Sequence, residues 1–165
     1  LKPHSFLLSW RDKKGAPGGA RPTGGQRKRQ KGAPIMEPIW NELYTAAKAV
    51  LKPREVSRLV EAGGVAAAIE SASGKIYTGV CVDTACTLGI CAERNAIFHM
   101  LTCGENAIRR VIAIDRHGNA LPPCGACREL MSQLMPDNYR NIEIMLDYDA
   151  GKTVTLGQLT PEWWI

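Results

Sequence analysis

The hydrophobic positions of this chain recur first at helical and then at strand spacing. Ile39, Trp40, Leu43, Ala47, Val50 and Leu51 fall three and four apart and predict an amphipathic helix over 37–51. Pro38 suits its first turn and Pro53 stops it. The next stretch, 54–62 (REVSRLVEA), reads as a short second helix. Residues 65–69 and 75–82 are β-like runs about the turn Ser71-Ala72-Ser73-Gly74, which predicts a hairpin. A buried helix over 91–101, a strand over 109–114 and a loop at 116–119 follow. Then come a helix over 124–135 ended by Pro136, a strand over 142–146 and a short strand at 153–156. A hairpin followed by strand–helix alternations predicts an α/β protein, a three-layer α/β/α arrangement with a central mixed β-sheet. There is no internal repeat, and no apolar run approaches the ~18 residues that cross a membrane.

Charge divides the chain in two. The net charge is +5, but residues 1–35 carry nine Lys/Arg against one acid, for +8, and residues 36–165 carry −3. Ten of the first 35 residues are Gly or Pro, against sixteen of the following 130. Such a segment buries too little surface to offset its ordering entropy. Residues 1–35 are therefore expected to be a disordered basic tail, with Met36 as the native start. A nucleic-acid arm at Arg27-Lys28-Arg29 and a targeting peptide are the other readings. Residues 36–165 form one domain, whose acidic balance argues against nucleic acid as a partner.

Six cysteines lie at 81, 86, 91, 103, 124 and 127. No secretory signal is visible, so they read as metal or catalytic thiols before disulfides, and the protein as cytoplasmic. Two clusters, Cys91-Ala92-Glu93-Arg94 and Pro122-Pro123-Cys124-Gly125-Ala126-Cys127, each open a predicted helix. A helix N-terminus presents free N–H groups and a positive dipole end, which favour thiolates. Three thiolates at two helix starts make a tetrahedral Zn²⁺ site with one open position. Glu93, two residues past a ligand, is in reach of a water there. A closed structural zinc site, with Cys81, Cys86 or Cys103 as fourth ligand, and a Cys124–Cys127 dithiol are the competing readings.

The pairing of Cys-Ala-Glu with Pro-Cys-x-x-Cys is the signature of zinc deaminases. With GVAAAI (64–69), GKIYTGV (74–80), CAERNAI (91–97) and PPCGACREL (122–130), the chain resembles the cytidine deaminase family, including its blasticidin-S deaminase branch. The resemblance implies zinc held by Cys91, Cys124 and Cys127. It implies hydrolytic deamination of a free cytosine-type nucleoside, with a role in pyrimidine salvage. Glu93 is expected to protonate the ring nitrogen and later the departing amine, and the Ala92 N–H to bind the pyrimidine carbonyl. Arg94, and secondarily Arg128, are expected to offset the negative charge of three thiolates. A homotetramer is implied, with a dimer as the lesser possibility.

The substrate-reading positions depart from the family. Its Asn-x-Glu pair, which reads ribose hydroxyls, corresponds to Cys81-Val82-Asp83, and its aromatic ring wall to Gly63-Gly64. Asp83 is a candidate for the sugar and Cys81 a weak partner beside it. A blasticidin-type nucleoside is thus the alternative substrate. Cys81, Cys86 and Cys103 are otherwise expected to be buried fillers, and His99 structural. Trp163 and Trp164, costly in water, are read either as packed on their own domain or as a lid over their own or a neighbouring subunit's pocket.

Overall fold

A computed structural model describes residues 36–165. The tail predicted at 1–35 lies outside the described residues. Helix α1 spans Pro38–Val50, with Pro38 in its first turn as expected. Strands β1 (Arg54–Ser57), β2 (Val60–Ser71) and β3 (Ile76–Thr84) follow. Next come α2 (Ala92–Thr102), β4 (Ile108–Asp115), α3 (Gly125–Leu134), β5 (Glu143–Asp147), β6 (Lys152–Thr155) and α4 (Leu156–Leu159).

The segment 54–62 is not a helix. Its two halves form β1 and the start of β2, joined by a turn at 58–59. Pairing decides this: Glu61 faces Glu55 on one side and Asp83 on the other, so the backbone is satisfied by neighbours rather than by itself. The short strand expected at 153–156 is β6, and a helical turn follows it at 156–159, started by a capping box in which Thr155 and Gln158 bond reciprocally.

The six strands form one mixed sheet. β2 lies at its heart. β3 runs antiparallel along one side of it; β1 and then β4 cover the other. β4 pairs parallel with β5, and β5 antiparallel with β6. Alternate β2 residues serve opposite layers: Ala66 and Ala68 pack with Trp40, Leu43 and Ala47 of α1, while Ala67 and Ile69 pack with Ala96, Ile97 and Met100 of α2. A strand buried on both faces reads as an unbroken apolar run, which is what VAAAI is.

α2 is seated against β3. A Cβ on Gly79 would collide with Ala96 N and lie 2.7 Å from Ala92 O, so the helix backbone touches the strand there. Along the outer edge of β3, Asn95 Nδ2 donates to Val80 O at 2.9 Å and His99 Nδ1 to Thr78 O at 3.2 Å. His99 is thus structural, but exposed; the helix is buried on its inner face only, and Phe98 and Leu101 are exposed with it. Of the cysteines expected to be fillers, Cys81 is buried, but Cys86 and Cys103 are exposed.

Candidate active site

Three thiols converge at two helix starts. Cys91 is the N-cap of α2, and Cys124 the N-cap of α3 with Cys127 one turn later. Their sulfurs all lie within 4.8 Å of one another. The Cys91–Cys124 and Cys124–Cys127 separations are both 3.5 Å. Three ligands at ~2.3 Å around a tetrahedral ion would stand about 3.8 Å apart, so the donor set fits zinc. Among the described residues the group has three members, and Cys81, Cys86 and Cys103 do not join it. The closed four-cysteine reading therefore falls.

The electrostatics of the thiols follow from their positions. Burial would raise Cys124, but the backbone N–H groups of Cys127 and Ala126 and the neighbouring sulfurs outweigh it, and this thiol titrates low. Cys127 is pushed far up by burial and then by the Glu93 charge. Cys91 is raised by burial and by Cys124, with Arg94 pulling the other way. Only a cation lets all three ionise together. Burial works against the Arg94 charge, yet Cys91, Cys127 and Cys124 hold it above the usual arginine value. Its buried Nε has no hydrogen-bond partner, and its charge is felt by all three sulfurs. Arg128 does not. Its Nε donates to Pro123 O at 2.9 Å and Nη1 to Leu159 O at 3.1 Å, so it braces the loop that delivers Cys124.

Glu93, in the first turn of α2, is 6% exposed, and burial raises its pKa above the carboxylate norm. It opens on a cleft of about 370 Å³ that also reaches Cys91, Ala92, Cys124, Cys81 and Asp83. Ala92 is the first residue of α2, where N–H groups lack helical partners. The cleft walls include Val65, Ala113, Leu121 and Pro122, and among the described residues no aromatic side chain. Sequence reasoning missed Leu121, whose only signal is that it immediately precedes the Pro-Pro-Cys loop. It also missed Gly79, although a glycine inside a strand marks a close backbone approach.

The C-terminal tryptophans are elsewhere. Trp163 Nε1 and Trp164 Nε1 donate to the two oxygens of Glu129 at 3.1 and 2.9 Å, and Trp163 packs on Tyr139. Neither lines the cleft of its own chain: Trp163 is packed within the protomer, while Trp164 is 74% exposed.

The family profile described as "Cytidine and deoxycytidylate deaminase zinc-binding region" matches residues 41–139. The chain belongs to this family. Among curated members it is 30% identical to a cytidine deaminase of Halalkalibacterium halodurans, over 59% of this chain and 74% of that protein. It is 32% identical to a blasticidin-S deaminase of Bacillus cereus, again over 59% and 74%. Among solved structures, the cytidine deaminase of Mycobacterium leprae superposes with a TM-score of 0.63 at 28% identity, covering 76% of this chain and 100% of that one. The three-layer arrangement is therefore the fold of this deaminase family. No described helix is long and apolar enough to cross a membrane.

Proposed function

We propose that this chain is a zinc-dependent deaminase that hydrolyses the exocyclic amine of a free cytosine-type nucleoside, cytidine or deoxycytidine. What carries the reading is the meeting of Cys91, Cys124 and Cys127 with the buried carboxyl of Glu93 at one cleft. Cys91, Cys124 and Cys127 would hold the zinc. When bound, it supplies a Lewis acid that brings the pKa of water to about 7. Everything else falls to the chain. The Ala92 N–H takes the pyrimidine carbonyl. Glu93 gives a proton to the ring nitrogen beside the reacting carbon. It then takes one from the attacking water, delivers it to the amine and collects the remaining hydroxyl proton as the carbonyl forms, so a C–O bond forms, the C–N bond breaks, ammonia leaves and Glu93 is again protonated. A carboxyl whose pKa is raised by burial suits both the acid and the base step. Arg94 offsets the thiolate charge, and Asp83 faces the sugar.

The Bacillus cereus relative and the replaced ribose-reading residues favour one second reading, a blasticidin-type nucleoside as substrate. Ammonia release from cytidine, deoxycytidine and blasticidin S, with zinc counted per chain, tests both. Zinc bound with none of the three consumed would sink the activity. We assign the activity to residues 36–165, so a chain starting at Met36 should retain it. We further propose a cytoplasmic homotetramer serving pyrimidine salvage. The exposed Phe98, Leu101 and Leu88 support the assembly, and the mass in solution checks it.

A further inference from the structure

We infer that Cys81 is a positioning residue that orients Asp83, and that the pair makes the outer end of the cleft accept hydrogen-bond donors and reject anions. This rests on the deaminase reading above and adds to it the rule by which the sugar side of a substrate is chosen.

Cys81 and Asp83 stand two apart on β3, so their side chains leave the same face of the sheet, and both border the cleft. The Cys81 sulfur accepts the Val65 N–H at 3.2 Å, across the β2–β3 pair. It lies 3.6 Å from Asp83 Oδ2, toward which its S–H is directed. Burial keeps the thiol protonated, so the proton needed for that second contact is present. A thiol has one proton to give. With the backbone donating to its sulfur, that proton is committed to the carboxylate. The relay runs from main chain to thiol to carboxylate and fixes a side chain that is otherwise free at the exposed rim.

The consequence is chemical. Among the described charged side chains bordering the cleft, Arg94 is the sole base, and its charge is engaged by the sulfurs; Asp83 and Glu93 are the acids. Asp83 can only accept. With the Cys81 proton already committed, neither side chain of the pair offers a donor to an incoming group. A sugar hydroxyl fits it, while a phosphate meets a like charge.

Steady-state ammonia release from cytidine and cytidine 5′-monophosphate tests this. Cys81→Ala should raise KM for cytidine by about fivefold, the loss expected for one modest hydrogen bond, with kcat within about twofold. Cys81→Ser, which keeps a donor and an acceptor, should bring KM back. In an Asp83→Ala background, Cys81→Ala should add nothing to KM. Asp83→Asn should shrink the preference for cytidine over its monophosphate by at least about fivefold. A fall in kcat at unchanged KM, an equal KM effect with Asp83 absent, or an unaltered preference would each overturn the inference while leaving the deaminase reading intact. If the unmodified protein binds zinc but deaminates no cytosine nucleoside, the two fall together.

Discussion

Glu93 is surrounded by groups that each want something different from it. Burial favours its neutral form, while Arg94 and the Cys127 thiol favour the anion. A group balanced in this way changes protonation at low cost, which is what alternating acid and base steps need. Glu93→Gln keeps the shape and the donors but cannot cycle a proton. Zinc content should stay unchanged while kcat falls at least about 10³-fold, measured by ammonia release. At this scale the sequence was most informative, because the Cys-Ala-Glu and Pro-Cys-x-x-Cys spacings are tied to helix starts, and local spacing survives folding. It was least informative for Arg128 and the tryptophans. Their partners, Leu159 O and Glu129, are about 30 residues away in the chain. Composition carries no trace of such pairings.

Elements deliver these residues through backbone contact. α2 approaches β3 so closely at Gly79 that a methyl group would press on the helix main chain, one turn from Glu93. Gly79→Ala should therefore cost about 2–3 kcal/mol in denaturant unfolding and shift α2 enough to lower activity, even though residue 79 never meets substrate. The turn after β4 is held differently. Asp115 accepts from the Asn119 side chain and from the backbone N–H groups of Asn119 and His117, which holds its pKa below the usual aspartate value. Its contribution is then present above the unfolded-state pKa and lost as pH falls through the folded one. Asp115→Asn should lower Tm by a few degrees at pH 7 and by less near pH 3, as thermal melts at the two pH values would report. Elements whose pattern closes within one segment, such as α1 and the β2–β3 hairpin, were readable from the chain alone. The 54–62 segment was not. Its apolar residues fit a helix, and it becomes two strands because its halves pair with each other and the second also pairs with β3.

On the scale of the whole molecule, the sheet separates two unlike tasks. One face carries α1 on a purely packing core, including Trp40, Leu43 and Ile112. The other carries α2 and α3, whose N-termini form the site, so the chemistry lies on the layer where two helices start side by side. A metal shared by α2 and α3 would tie those starts together, and binding to the folded chain alone would be stabilising. Chelation should abolish ammonia release and lower Tm, and zinc should restore both. The net charge of +5 would have pointed to nucleic acid, but the described part of the chain carries −3, and the site is one of thiols and carboxyls.

The way α2 lies along β3 also decides how copies of this protein can meet. An outer strand usually exposes a ladder of free carbonyls on which a second chain can polymerise. Here two successive outward carbonyls, those of Thr78 and Val80, are already occupied by His99 and Asn95, one helical turn apart. Fibre-like growth by strand addition is blocked on that flank by the helix that carries Glu93. Association there must proceed through side chains, a mode that two copies can enter and leave without unfolding.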